Sequence, residues 1–413
     1  MPPTPIERGW DALESINRYW RNMEKMMPDS NLALVEDIAR DVHKYGFVDA
    51  TEDNPVPAVL FMSQMDCERL EEFMAKYYPR IKKSESIKEG VMAKLRLLGV
   101  MVNGSYRSIR ALYRSLTEED FIKLGFKRKP SYESIREFIN DRLGTDGLIE
   151  LFYILIELIV DYGKKNGIEI GKRIGEDATD IRALKHDSEA NYSGYYREHG
   201  YKVDFVCDLD NGTLPLALTL LDINANEGEC LVPSIERLTG LGCHPTFIAF
   251  DDKYATYYNI GYCGVHGIDT AYKIAANWKY NKKGNVDEIK RRYQKYHTNN
   301  DWVVNTSLEY MLWYLYEHGD IEYVGAYYRN QSMREYASNP DGYSELCKER
   351  SAKVEGMNGW LKTQTNLDSR LPRRGWNAVV RHVVLSLLGP VFAAFIRLQH
   401  GVTENISNIT YIV

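Results

Sequence analysis

Residues 200–222 read GYKVDFVCDLDNGTLPLALTLLD, and this stretch decides the fold class. Two apolar runs flank Asp210-Asn211-Gly212, a sequence typical of the tight turn that joins two antiparallel strands. Asparagine and glycine suit such a turn because they adopt a left-handed backbone at low cost. The stretch therefore predicts a β-hairpin that turns at residues 210–212.

Segments on both sides extend this hairpin into a larger sheet. IGEDATDI (174–181) is typical of a strand, and TFIAFDD (246–252) is typical of a buried strand that ends in two acids. GECLVPSIERLTGL (228–241) predicts a helix between them, and IDTAYKIAAN (268–277) is a candidate further strand. The order strand, strand, strand, helix, strand indicates a mixed α/β sheet.

The chain before the sheet has a helical pattern. Apolar residues recur there at three- and four-residue intervals, as in ALVEDIARDVHKYG (33–46). Thr117 and the acids that follow it predict a helix N-cap, and LIELFYILIELIVDYGKK (148–165) predicts a helix that ends near Gly167. An all-α region is therefore expected in front of the sheet.

Residues 278–343 interrupt the α/β pattern, because they are rich in Tyr, Trp, Lys and Arg and are predicted to be mostly helical. A helix is expected to begin near Ser344, and a last helix is expected over 376–398. The apolar run of that last helix contains two arginines and a histidine, which favours a buried helix over a membrane span. Four parts follow: a helical N-terminal region, 1–84; a second helical region, 85–170; a sheet-containing domain, 171–277 and 344–400; and an insertion in it, 278–343.

Composition limits the classes of protein and site. The formal net charge is −6, so any DNA binding has to come from local basic patches. The six cysteines form no CxxC pair, which indicates reduced residues used mainly for packing. The nine histidines are scattered rather than paired as metal ligands, and the sequence has no GxGxxG, P-loop or nucleophile elbow.

Acidic residues could meet at one end of the predicted sheet. Asp177 lies in the first strand, Asp251 and Asp252 end the fourth strand, and Glu355 lies on the helix after the insertion. Three carboxylates with no basic residue between them repel one another, and a divalent cation relieves this repulsion. Side chains alternate along a strand, so Asp180 is expected to point away from Asp177. The alternative is that each acid is an ordinary solvated or capping residue.

The chemistry of these ligands suits phosphodiester cleavage. Oxygen ligands favour Mg²⁺ or Mn²⁺. Two such ions about 3.5–4 Å apart would activate an attacking water or hydroxyl and stabilise the leaving oxygen. The sequence therefore predicts a two-ion site on a rigid sheet and one helix.

The helix that carries Glu355 lies in ERSAKVEGMNGWLKTQ (349–364). Gly356 and Gly359 each cost a helix about 1 kcal/mol relative to alanine, so we expect them to let DNA or the sheet approach closely. The alternative is that they are loop residues beyond the end of the helix. One helix face is predicted to hold Lys348, Ser351, Glu355, Asn358 and Lys362.

Together these blocks resemble the DDE transposases of prokaryotic insertion sequences, whose catalytic domain has a ribonuclease-H-like fold. IGEDATDI is similar to the family's first-Asp strand, and TFIAFDDKYAT is similar to its second-Asp block, Ala-Asp-x-Gly-Tyr. ERSAKVEGMNGWLK is similar to its signature, Tyr-x-x-Arg-x-x-x-Glu-x-x-x-x-x-x-Lys. The resemblance covers about residues 170–400 and implies that the sheet-containing domain is the catalytic one.

Carried over to this sequence, the resemblance implies that Asp177, Asp251 and Glu355 are catalytic and hold two Mg²⁺ or Mn²⁺ ions. Asp252 stays open as the second ligand in place of Asp251. Lys362 keeps the seven-residue step from the glutamate.

The signature is altered on its upstream side. Arg350 lies five residues before Glu355 rather than four, and Ser351 stands where the arginine is expected. In the second-Asp block, Lys253 replaces the usual glycine. A DNA-binding role is still predicted for Arg350 and for Lys362.

The activity implied is metal-dependent cutting at transposon ends, after which the freed 3′-hydroxyl attacks target DNA. The expected partners are double-stranded DNA (terminal inverted repeats and target) and a second copy in a synaptic homodimer, with no membrane. The expected location is the prokaryotic cytoplasm, in association with the nucleoid. The alternatives are a ribonuclease-H-like nuclease without strand transfer and an inactive DNA-binding regulator.

Two sequence features suggest DNA contacts beyond the acids. Residues 104–136 contain more basic than acidic residues, including Arg128 and Lys129, and SYESIREFI (131–139) is a candidate recognition helix. Residues 370–381 contain Arg373 and Arg374 and are expected to bind phosphate. Residues 85–170 are therefore predicted to form a helix-turn-helix-like DNA-binding region; the alternative is an ordinary helical domain with solvated charges.

Aromatic residues of the insertion are candidates for a second DNA contact. Family members often form a DNA hairpin in which an aromatic residue stabilises a flipped base. Trp278, Trp302 and Trp313 could serve, or they could be core residues.

Overall fold

The part of the chain described by the computed structural model is residues 57–77, 85–103, 108–195, 197–212, 214–297, 306–356, 358–359, 362, 367 and 374–408. Most of the predicted N-terminal region, 1–84, therefore lies outside the described residues.

The front of the described chain is helical, as predicted. Its helices are α1 (Pro57–Ser63), α2 (Glu68–Lys76), α3 (Glu85–Asn103), α4 (Ile109–Ser115), α5 (Glu118–Lys123), α6 (Tyr132–Glu137) and α7 (Gly144–Lys165). The Thr117 side chain accepts the Asp120 backbone N–H, and the Asp120 carboxylate accepts the Thr117 N–H, which forms a capping box at α5. The predicted cap is thereby confirmed. A π-helical turn (Phe138–Leu143) joins α6 to α7.

A six-stranded mixed sheet follows. Its strands are β1 (Arg173–Arg182), β2 (Asn191–Ser193), β3 (Glu198–Asp208), β4 (Pro215–Asp222), β5 (Phe247–Phe250) and β6 (Asp269–Ala271). β3 pairs antiparallel with β1, β2 and β4, whereas β1 and β5, and β5 and β6, are parallel. The hairpin of β3 and β4 turns at Gly212, whose φ is +83°. The expected mixed α/β sheet is confirmed.

The remaining helices are α8 (Leu231–Gly240), α9 (Tyr257–Val265), α10 (Val286–Gln294), α11 (Leu308–Glu317), α12 (Ile321–Ser338), α13 (Pro340–Arg350) and α14 (Trp376–Gln399). Helices α10 to α12 share a small apolar core that includes Ile289, Leu312 and Val324. At Gly325 of α12 an added Cβ would lie 2.1 Å from the Tyr257 carbonyl oxygen. The insertion therefore packs directly on α9, with a glycine at the closest approach.

Helix α14 is the core helix of the structure. Its length and apolar composition would suit a membrane span, yet 83% of its most apolar 18-residue stretch is buried inside the protein. It packs on α7, α3 and β4. The sequence prediction of a buried helix agrees with this placement.

Three local predictions were wrong. The strand expected over 268–277 has only three residues, because β5 is short and limits the ladder. The helix expected from Ser344 begins at Pro340, since proline is tolerated in a first helical turn. The expected continuous α-helix around Glu355 is instead a π-helical turn, Ser351–Glu355.

Candidate active site

The end of the parallel ladder between β1 and β5 positions the first two candidate acids. In the parallel ladder of β1 and β5, Glu176 lies opposite Phe250. Asp177 is the next residue on β1, and Asp251 is the next residue after β5. This register brings the two aspartates to the same edge of the sheet, where parallel strands commonly place ligand-binding residues.

The third acid reaches this edge through close packing of the π-helical turn on β1. An added Cβ at Gly175 would lie 2.5 Å from Val354 Cγ2 and 3.0 Å from Leu209 Cδ2. Val354 is fully buried, and its neighbour Glu355 remains exposed. The strand glycine thus permits the contact that brings Glu355 beside Asp177.

The charges of the other two candidate acids act on Asp177. Burial raises the pKa of Asp177 to about 6, while the Arg350 charge opposes the rise and the charges of Asp251 and Glu355 add to it. Asp252, the alternative second ligand, is exposed, whereas Asp251 is half-buried directly after β5. The arrangement favours Asp251 over Asp252 as the second acid.

Arg350 lies between two of the acids. Its guanidinium is 3.5 Å from Asp177 Oδ2 and 3.1 Å from Glu355 Oε1. Asn358 Nδ2 donates a hydrogen bond of 3.2 Å to the same Asp177 oxygen. A DNA-contacting role was predicted for Arg350 from the sequence, and its position as a bridge between the acids was not anticipated.

Lys362 also pairs with an acid of β1. Its Nζ lies 3.6 Å from Asp180 Oδ1. Asp177 and Asp180 have different partners in the structure, in keeping with the expectation that only one of them joins the site. The predicted phosphate-binding lysine therefore lies at the sheet edge, close to the strand of Asp177.

The same sheet edge is the candidate metal centre. Among the described residues, no group of three or more His, Cys, Asp or Glu side chains is gathered closely enough to hold a metal ion. The donors nevertheless fit a hard divalent cation in their chemistry, because Asp177, Asp251 and Glu355 are carboxylates and the charges of the last two act on Asp177. A cationic group, the Arg350 guanidinium, already contacts two of them.

A buried polar network that includes residues of β3 anchors the turn that follows Asp251. The Tyr254 hydroxyl donates to Asp204 of β3, which is fully buried. Lys253 and Lys202 both pair with Glu227, at 2.8 and 2.5 Å. This network was not predicted from the sequence, where the only signal for it was polar residues inside apolar strands.

The two glycines of the glutamate-bearing segment leave room for a side chain. An added Cβ at Gly356 or at Gly359 would meet no atom within 4 Å. The expectation that these glycines admit the sheet was therefore wrong, since Gly175 provides the close approach instead. Approach of DNA to them stays a prediction.

The predicted DNA-contacting residues differ in their surroundings. Arg128 and Arg374 are exposed, and Arg373 lies outside the described residues. Lys129 is engaged in the helical region, where its Nζ donates to the Leu116 carbonyl at 2.7 Å and lies 4.6 Å from the Tyr113 ring centroid.

The three tryptophans are also placed differently. Trp278 is partly buried, with the Arg329 guanidinium 5.0 Å from its ring, whereas Trp313 is 44% exposed beside Tyr310. Trp302 lies outside the described residues. Of the described pair, Trp313 has the exposure that base stacking needs.

Comparison with known proteins gives one family. The family model described as transposase DDE domain matches residues 176–388, just over half of the chain. A cryo-EM structure of a piggyBac transposase synaptic complex with hairpin DNA aligns with 87% of each chain at 10% identity, with a TM-score of 0.27 that supports no inference about this chain. No curated protein matches the sequence.

Proposed function

Because this chain belongs to the transposase DDE domain family, we propose that it cuts DNA at the ends of an insertion sequence and joins the freed 3′-hydroxyl ends to target DNA. Such a protein would act on terminal inverted repeats as a synaptic homodimer, at the nucleoid in a prokaryotic cytoplasm. The observation that carries the proposal is the register of β1 and β5, which brings Asp177 beside Asp251, together with the π-helical turn that adds Glu355.

Each residue of the site has a role in this proposal. Asp177, Asp251 and Glu355 would hold Mg²⁺ or Mn²⁺; the two aspartates are half-buried, whereas the glutamate is exposed. A bound pair of ions would lower the pKa of the attacking water or hydroxyl and stabilise the leaving oxygen. Asn358 orients the Asp177 carboxylate by its hydrogen bond.

The basic residues around the site would bind DNA in this proposal. Lys362 would exchange its pairing with Asp180 for a DNA phosphate, since the pair is partly exposed and therefore weak. Exposed Arg128 and Arg374 would contact the backbone farther from the cut. Trp313 would offer a stacking surface if the intermediate is a hairpin.

The test is cleavage of a plasmid that carries the inverted repeats flanking the gene. We expect Mn²⁺- or Mg²⁺-dependent nicking by the wild-type protein, no nicking by Glu355→Ala, and normal nicking by Glu345→Ala, whose side chain is exposed on α13. Joined products with target DNA would support the transposase. Cleavage without joining would indicate a nuclease, and tight end binding without cleavage would indicate a regulator.

A further inference from the structure

We propose that Arg350 is a displaceable counter-ion of this site, which neutralises Asp177 and Glu355 when no metal is bound and competes with a divalent cation for them. The inference rests on the proposed metal-dependent function and deepens it. It assigns to Arg350 a positioning role that the altered signature left without explanation.

The contacts of Arg350 are those of a bridging cation. One guanidinium nitrogen lies 3.5 Å from Asp177 and another lies 3.1 Å from Glu355. The arginine side chain is only 12% exposed, and that of Asp177 is 17% exposed. A nearly buried guanidinium requires acidic partners, and two nearby carboxylates require positive charge.

The π-helical turn explains how an arginine five residues upstream reaches Glu355. In an α-helix, residues five positions apart point about 140° apart around the axis, so Arg350 and Glu355 would not share a face. A π-helical turn closes i→i+5 hydrogen bonds and brings such residues together. Because Ser351–Glu355 is π-helical, the extra residue in the signature is absorbed and Arg350 lies over Glu355.

Competition with a cation follows from charge. A divalent ion held by Asp177 and Glu355 would repel the guanidinium at short range and would remove its two acidic partners. Arg350 would then be released towards the DNA phosphates, for which a planar guanidinium is well suited. By thermodynamic linkage, metal binding and the arginine contact weaken each other by the same factor. Removing the arginine charge should therefore strengthen metal binding by that factor.

The test measures Mn²⁺ binding by the full chain without DNA, from the electron paramagnetic resonance signal of free Mn²⁺. We expect Arg350→Gln to bind Mn²⁺ more tightly by roughly tenfold, within the range typical of coupled sites. Arg334→Gln, an exposed arginine of α12, should bind like the wild type. Equal or weaker Mn²⁺ binding by Arg350→Gln would overturn the proposal.

A stability measurement separates this role from ordinary packing. In EDTA, Arg350→Gln should unfold at a lower temperature than the wild type, because two acids lose their counter-charge, and saturating Mn²⁺ should abolish the difference. An arginine that only packs would lower the unfolding temperature equally in both conditions. If Arg350→Gln fails to fold, Arg350→Lys replaces it in the test. A lysine bridges the two carboxylates less well than an arginine, so this variant should bind Mn²⁺ more tightly than the wild type.

Failure of the proposed function gives a different result. If the wild type binds Mn²⁺ no better than the double variant Asp177→Asn with Glu355→Gln, then the proposed metal site is absent and this inference is overturned with it. If the wild type binds Mn²⁺ through these acids and Arg350→Gln gains no affinity, only the counter-ion role is overturned.

Discussion

Asp177 and Asp204 lie on neighbouring strands of the same sheet, and their surroundings suit them to different tasks. Asp177 is beside a guanidinium and two other acids at the sheet edge, where a cation can relieve its charge. Asp204 is buried behind the sheet and accepts the Tyr254 hydroxyl. The hydrogen bond to Asp204 anchors the turn that follows Asp251. It does not require Asp204 to be ionised.

Asp204 should make stability depend on pH. Burial raises its pKa to about 7, although the Tyr254 hydroxyl opposes this rise, and the neighbouring buried Glu176, whose pKa burial also raises, titrates together with it. Since the unfolded pKa is about 3.9, the folded state binds this proton more tightly. Its contribution is therefore complete at low pH and is lost as pH rises from about 4 to 7, by up to about 1.4 kcal/mol per pH unit.

The measurement is urea unfolding at pH 5 and pH 8 with Asp204→Asn, in which the amide oxygen can still accept the Tyr254 hydroxyl. We expect the wild type to lose more stability than the variant between the two pH values. Asp252→Asn, at an exposed position in the next turn, should retain the wild-type dependence. Parallel stability changes in wild type and Asp204→Asn would contradict the assignment.

At the scale of the element, the site depends on how closely the π-helical turn lies against β1. Gly175→Ala would place a methyl group 2.5 Å from Val354 Cγ2. We expect this overpacking to cost roughly 1–3 kcal/mol of stability and to move Glu355 away from Asp177. Nicking activity should therefore fall far more than stability alone explains, at temperatures where the variant is folded.

The matched control is Gly90→Ala, on α3 in the helical front of the chain. An added Cβ there meets no atom within 4 Å, so the variant should be neutral or up to about 1 kcal/mol more stable. Urea unfolding and plasmid nicking of both variants provide the comparison. Equal effects of the two substitutions would show that the approach of the turn to β1 is not what assembles the site.

Local signals explain which elements the sequence could predict. The hairpin at Gly212, the cap at Thr117 and the strand that ends before Asp251 each follow from a few adjacent residues. Nothing local in the sequence indicates the π-helical turn, and the contact that it makes, Val354 on Gly175, joins residues that lie far apart in sequence. The bridging position of Arg350 could not be predicted either, because residues 350 and 355 would not share a face of an α-helix and do so only in a π-helical turn.

At the scale of the whole molecule, an acidic chain has to bind DNA through a few exposed basic residues. The net charge is −6. Lys127 and Arg128 are exposed together after α5, whereas Lys129 turns back onto Leu116 and the Tyr113 ring. Adjacent residues of the same charge therefore have different tasks, which substitution can separate.

We expect the double variant Lys127→Gln with Arg128→Gln to weaken binding of any duplex DNA and to lower the slope of log affinity against log salt by roughly 2, about 1 for each phosphate that is no longer neutralised. Its unfolding free energy should stay within about 0.5 kcal/mol of the wild type, because exposed charges contribute little to stability.

Lys129→Gln should behave in the opposite way, with a nearly unchanged slope and lower stability, because its side chain no longer carries the amine that reaches the Leu116 carbonyl and the aromatic faces. Fluorescence anisotropy across a salt series and urea unfolding supply the two readouts. If Lys129→Gln alone lowers the slope while the double variant does not, then the helical region contacts DNA through another face, because the exposed pair would bind no phosphate.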